Sequence, residues 1–188
     1  MASVLIPLAQ GCEELEAVTI IDLMRRAGIE VVTASLTDEP VKASRGTVLL
    51  ADTTLDQALT HKYDMVVLPG GLPGADNLNA DSRILQLLQS MAENRKYTAA
   101  ICAAPKVLAT AGLLEGKRAT GFPGVLEKLE LPATVLESSP VVHDGHVITS
   151  RGPGTAMDFA LELIELLVGK TKRDEVESAL QRPWSRAR

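Results

Sequence analysis

Thr98-Ala99-Ala100-Ile101-Cys102-Ala103-Ala104-Pro105 is the stretch from which the fold can be read. Ala99 to Ile101 form a short run of small and apolar residues, the length of a strand buried on both faces. Cys102 ends the run, and Pro105 opens a helical pattern that continues through Val107, Leu108 and Ala111. Proline suits the first turn of a helix, because the N–H it lacks would have no partner there. The stretch therefore reads as strand, sharp turn and helix. Cys102 then sits on the turn at the positive end of the helix, a position that favours a thiolate. Small neighbours let such a turn be tight, as around the nucleophilic serine of α/β hydrolases. A second reading stands beside this one. Free cysteine is among the most often buried residue types, and Cys102 would then be a small hydrophobe.

The same alternation runs outward in both directions. Ser3–Leu8, Glu30–Ser35, Met65–Leu68 and Val147–Ser150 read as further strands. Residues 13–27 read as a helix with Leu15, Val18, Ile21 and Met24 along its apolar face and Gly28 as its stop. Residues 81–94 form a second helix, capped by Asp81, with Ile84, Leu87, Leu88 and Met91 on one face. Residues 155–168 and 173–180 are two more, and residues 41–43 and 47–51 pair around Ser44-Arg45-Gly46. Alternating strands and helices predict one α/β domain over residues 1–188, a mostly parallel sheet with helices on both faces. The basic residues 181–188 are expected to be a solvated, flexible tail.

Composition excludes several function classes. The net charge is −5 and no basic face is evident, which argues against nucleic acid as a partner. Aromatic residues make up 3%, too few for a base-stacking platform. No apolar run reaches membrane-spanning length, and the N-terminus lacks the pattern of a secretion signal. Two cysteines without such a signal point to a reducing, cytoplasmic setting. Cys12, Cys102 and three histidines have no metal-ligand spacing, so neither a metal nor another cofactor is expected.

In a sheet of this kind, ligands bind outside the carboxyl ends of the strands. Three loops fall there: residues 10–16, 69–74 and 102–105. Gly70 and Gly71 follow a buried strand and allow backbone to approach a ligand closely. Glu13 and Glu14 read as residues that satisfy the positive end of the first helix. Glu16 lies one turn further in, on the side of Gly11-Cys12, and meets the Cys102 sulfur if this helix packs over the strand ends.

Gly11-Cys12-Glu13-Glu14-Leu15-Glu16, Asp22-Leu23-Met24-Arg25-Arg26-Ala27-Gly28, Ser44-Arg45-Gly46, Val67-Leu68-Pro69-Gly70-Gly71, Ala99-Ala100-Ile101-Cys102-Ala103-Ala104-Pro105, Thr120-Gly121-Phe122-Pro123 and Ser150-Arg151-Gly152-Pro153-Gly154-Thr155 occur in that order. With them the chain resembles the ThiJ/PfpI superfamily, in the branch of the parkinsonism-associated protein deglycase and nearest its bacterial YajL-type members. The resemblance implies a flavodoxin-like three-layer sandwich, a homodimer and Cys102 as the reactive cysteine. It implies that Glu16 is a protonated acid bonded to the thiolate, and that Gly71 and Ala103, with Gly70, line an oxyanion-binding spot. Arg26 and Arg45 become anion-binding residues close to the dimer contact. Two departures matter. Ala103 and Phe122 stand where other branches carry histidine, so a Cys–His dyad is not supported and proteolysis is argued against. Cys12 is unusual at its position and is a candidate resolving thiol for Cys102 or a plain turn residue.

The implied activity is detoxification of reactive dicarbonyls, either as a glutathione-independent glyoxalase or as a deglycase acting on glycated proteins, with a link to oxidative stress. The alternative is a redox-responsive chaperone or sensor in which Cys102 stops at the sulfinate.

Overall fold

The computed structural model describes residues 1–182. The strands are β1 (Ser3–Leu8), β2 (Glu30–Ser35), β3 (Val41–Lys42), β4 (Val48–Leu49), β5 (Thr53–Thr54), β6 (Met65–Leu68), β7 (Tyr97–Ile101), β8 (Arg118–Ala119), β9 (Val135–Leu136), β10 (Val141–Asp144) and β11 (Val147–Ser150). The helices are α1 (Glu14–Arg26), α2 (Leu55–Ala58), α3 (Gly74–Ala80), α4 (Ser82–Glu93), α5 (Pro105–Thr110), α6 (Ala156–Val168) and α7 (Lys170–Ala179).

Seven strands form the central sheet in the order β10-β11-β7-β6-β1-β2-β5. Every pairing in it is parallel except the β10–β11 hairpin at one edge. The central strands are apolar because both of their faces are covered. Val4, Leu5 and Ile6 of β1, all four residues of β6 and Ala99 to Ile101 of β7 are fully buried. α1 packs on α6, and α6 on α7; α4 and α5 pack on β7, and α3 packs on both. Among the described residues, Phe159 of α6 is the bulkiest of the fully buried side chains. This is the flavodoxin-like α/β arrangement expected from the sequence.

From β1 the chain passes through α1 to β2 on one side, then returns through α2 to β6 on the other. β1 and β6 therefore flank the point where the chain reverses direction across the sheet, the place outside the carboxyl ends of the strands where ligands bind in folds of this kind. The loops after β1, β6 and β7 all leave the sheet at this edge.

Two expectations need correction. Of the face of α1 read as apolar, Met24 is fully buried and Ile21 half-buried, but Leu15 is 51% and Val18 46% exposed. The buried face carries Glu16, Ala17, Ile20, Leu23 and Met24. Periodicity places the apolar stripe, but here a carboxylate belongs to the covered stripe, so the pattern is turned away from the true face over the first half of the helix. Pro73 and Gly74 read as loop residues, but helix α3 starts directly on them. Asp81 caps α4 as expected, accepting the Arg83 N–H at 2.9 Å.

Among the described residues no helix is long and apolar enough to cross a membrane. Of the expected tail, residues 183–188 lie outside the described residues. Arg182 pairs with Asp158 at 2.7 Å and with Glu177 at 3.3 Å.

Candidate active site

Cys102 has φ +63, in the left-handed region that a side chain rarely adopts. Such a residue costs about 1–3 kcal/mol and persists only where the surroundings hold it. Here they do. The Cys102 N–H donates to the Ser150 carbonyl at 2.9 Å, and its own carbonyl accepts the Phe122 N–H at 2.8 Å. The loops after β8 and at the end of β11 thus fix the turn from both sides. The motifs containing Phe122 and Ser150 stood out in the sequence, but nothing local revealed that their backbone holds the cysteine.

Glu16 is fully buried, and the Gly70 N–H donates to its Oε2 at 2.8 Å. Gly70 is the point of convergence. A Cβ there would lie 2.6 Å from the Cys102 Cβ and 2.7 Å from Glu16 Oε2, closer than atoms can approach. Hydrogen in place of a side chain is what lets the acid and the cysteine flank the same backbone atom. Gly71, at φ +88, lies equally tight against the Glu13 backbone nitrogen. Gly70→Ala is expected to push the pair apart, lowering stability by about 1–3 kcal/mol as overpacking does. A thermal melt with a parallel activity assay checks this; an active, equally stable variant removes Gly70 from the site.

Burial pushes the Glu16 carboxyl up to about 7, against the opposing pull of the Gly70 N–H and the Cys102 thiol. Burial, and then the negative charge of Glu16, pushes the Cys102 thiol up to about 12. The Gly71 and Ala103 N–H groups hydrogen-bond the sulfur and act in the other direction. The helix end favours a thiolate, as the sequence suggests, but α5 spans only six residues and desolvation beside a carboxylate outweighs it. The physically meaningful unit is the pair. It gives up one proton near neutrality and holds the second tightly, so it passes from neutral to a single negative charge as pH rises through 7. Glu16 Oε1 has no hydrogen-bond partner among the described residues, so it is the free position on the carboxyl.

The remaining residues singled out by sequence fall in three places. The Gly70 amide is committed to Glu16, while those of Gly71 and Ala103 face the sulfur. Cys12 is fully buried in the turn before α1, its N–H on the Ala9 carbonyl, and both cysteines are free thiols. Burial, followed by the charge of Glu14, pushes the Cys12 thiol up to about 11, which keeps it protonated. Arg26 ends α1, about 15 Å along the axis from Glu16, and pairs with Asp22 at 2.6 Å. Arg45 is exposed on the β3–β4 turn. That turn grips the start of α1: the Ser44 hydroxyl donates to Glu13 Oε2 at 2.8 Å, and the Arg45 N–H to Glu14 Oε2 at 3.0 Å. Glu13 and Glu14 are thus held by a loop distant in sequence. Neither arginine is brought to Cys102 by the contacts within one chain.

Comparison with known proteins gives this arrangement a lineage. The model of the DJ-1/PfpI family matches residues 2–166. Protein dj-1beta of Drosophila melanogaster is 45% identical over 179 residues, covering 95% of this chain and 96% of the relative. Its crystal structure superposes with a TM-score of 0.93, at 43% identity over 97% of this chain and 99% of that one. Protein DJ-1 homolog A of Arabidopsis thaliana is 45% identical over 95% of this chain, which spans about half (46%) of that longer relative. The glutathione-independent glyoxalase DJR-1.2 of Caenorhabditis elegans is 34% identical over 93% of this chain and 92% of its own length. With a family model covering most of its length and a matching solved fold, the chain belongs to the DJ-1/PfpI family.

Proposed function

We propose that the protein converts small reactive dicarbonyls to hydroxy acids without glutathione. The observation that carries this reading is the buried Glu16 carboxyl beside Cys102, with the Gly71 and Ala103 amides on the sulfur. The thiolate adds to the aldehyde carbon of methylglyoxal, and Glu16 gives its proton to the oxygen of the resulting hemithioacetal. The Glu16 carboxylate then removes the proton from that same carbon and delivers it to the neighbouring carbon, while the hydroxyl proton passes to the neighbouring oxygen, which turns the hemithioacetal into a lactoyl thioester. Water hydrolyses the thioester, releasing lactate and restoring the thiol. The sum is methylglyoxal plus water to lactate, with no redox partner. The similarity to a glutathione-independent glyoxalase supports the same chemistry. Lactate formed from methylglyoxal by the purified protein in glutathione-free buffer tests it; no lactate overturns it.

Exposure bears on the substrate. Cys102 keeps 9% of its surface accessible. A two- or three-carbon aldehyde reaches such a sulfur readily, whereas a glycated side chain on a folded protein does not. The reading therefore favours free glyoxal and methylglyoxal, and reversal of early protein adducts follows by mass action as the free dicarbonyl is removed.

One feature favours a second reading as a cysteine-oxidation sensor. The unpartnered Glu16 Oε1 is suited to donate a hydrogen bond to an oxygen added to Cys102.

The homodimer reading is supported by an apolar surface that one chain leaves uncovered. Leu15 and Val18 of α1 lie beside the β3–β4 hairpin, where Val48 is 63% and Leu50 84% exposed. Arg45 rims this surface. A contact here would bury it between two copies. Sedimentation is expected to give twice the 20.0 kDa chain mass, and Val48→Glu to return it to the single value; a monomeric wild type overturns the reading.

A further inference from the structure

A groove of about 590 Å³ runs along α4, between that helix and the loop that leads into β6. Tyr63 precedes β6 and Lys96 precedes β7, so one end of the groove lies at the amino end of both strands, while Arg83 at its other end donates to the Leu36 carbonyl just past β2 at 3.0 Å. β7 spans about 17 Å between the first of these ends and Cys102. The volume is within the range of small-molecule sites.

Leu59, Leu87 and Met91 supply an apolar strip, Tyr63 and the uncharged polar stripe Gln86, Ser90 and Asn94 of α4 and its C-cap lie beside it, and His61, Lys62, Arg83 and Lys96 supply the edge. Arg83, Leu87 and Met91 recur at four-residue intervals on α4, so the apolar surface and the first cation form one stripe along that helix. No carboxylate among the described residues lines the groove, although the chain as a whole carries a net charge of −5. Arg83 and Lys96 are already ion-paired. Arg83 pairs with Asp56 at 2.7 Å and with Asp81 at 2.6 Å, and Lys96 with Asp64 at 2.8 Å. Lys62 is exposed and has no ion-pair partner among the described residues. A groove with an apolar floor, one uncommitted cation and no competing acid selects for a ligand with an apolar body and a single negative charge.

We propose that this groove binds a medium-chain carboxylate, with its head group at Lys62 and its tail over Leu59, Leu87 and Met91. The site is independent of the cysteine chemistry, since none of its residues touches the Cys102–Glu16 pair. Burial of the tail supplies the affinity, and the ammonium of Lys62 supplies the preference for an anion.

Titration calorimetry of the full chain with octanoate tests the proposal, with octan-1-ol as the neutral probe of equal length. One octanoate per chain is expected, with Kd below about 1 mM, and octan-1-ol at least about fivefold weaker. Lys62→Glu is expected to weaken octanoate by about fivefold or more, and Leu87→Trp, which fills the groove, to abolish binding. Lys62 is a surface side chain, so its variant keeps the fold even if Leu87→Trp does not. Lactate formation from methylglyoxal is expected to be unchanged in Lys62→Glu, which separates failure of the groove from failure of the cysteine reading. No octanoate binding to the wild type, equal binding of octan-1-ol, or an affinity indifferent to Lys62→Glu would each overturn the proposal.

Discussion

Replacing Glu16 by glutamine is expected to lower kcat/KM for methylglyoxal by about 10²–10⁴-fold, the range lost with a positioned acid–base group. The amide keeps the shape of the carboxyl but neither takes nor gives a proton at the substrate carbons. The same variant reports on stability. Glu16 has a folded value near 7 against an ordinary value of 4.5. Below pH 4.5 the carboxyl is protonated in both folded and unfolded chains, and its contribution is complete there. As pH rises toward 7 the unfolded chain ionises first, which draws the equilibrium toward unfolding. The contribution is lost across this window, by about 3 kcal/mol at one pKa unit per 1.36 kcal/mol. Glu16→Gln lacks this loss. Urea denaturation between pH 4.5 and 8 is therefore expected to show the variant gaining on the wild type as pH rises. Parallel stability profiles, or full activity in the variant, would remove Glu16 as the buried acid.

Cys102→Ser is expected to reduce lactate formation by about 10³-fold or more, the scale on which a covalent nucleophile is missed. Serine is close in size and meets the same backbone demand at φ +63, so unfolding free energy is expected to change by no more than about 1 kcal/mol. Retained activity would exclude the thiol from the reaction. The same pair of proteins decides the sensor reading. After mild peroxide, the wild type is expected to gain two oxygens on the peptide containing Cys102, and the serine variant none there. An unoxidised Cys102 beside oxidised methionines ends that reading. Cys12, which is fully buried and kept protonated, is expected to stay a thiol in both.

Much of this was legible in the residues. β1, β2, β6 and β11 have the bounds read from the sequence, and the central β6 is continuously apolar because both of its faces are covered. Pro105 at the start of α5 and the Asp81 cap on α4 mark helix ends through the backbone groups that a helix leaves unpaired. Alternation of these elements was enough for the layers and for the edge of the sheet where ligands bind. Cys102 was conspicuous because a strand that ends on a cysteine before Ala-Ala-Pro has few geometries open to it.

The tertiary structure decided what depends on residues far apart in the chain. The side of α1 that faces inward is set by its packing against α6, and this buries Glu16 while leaving Leu15 and Val18 outside. The Gly70 amide meets Glu16 across 54 residues, and Ser150 and Phe122 hold the Cys102 turn from two other loops. Proton affinity is the furthest removed from local pattern. A carboxyl in water and a carboxyl with no accessible surface beside a thiol are the same letter in a sequence, but removal of water destabilises the charged form and makes the two groups titrate together. The sequence by itself determined the strands, the layers and the cysteine. Burial, which only the folded chain creates, decided that the cysteine lies beside an acid whose proton is held up to about pH 7.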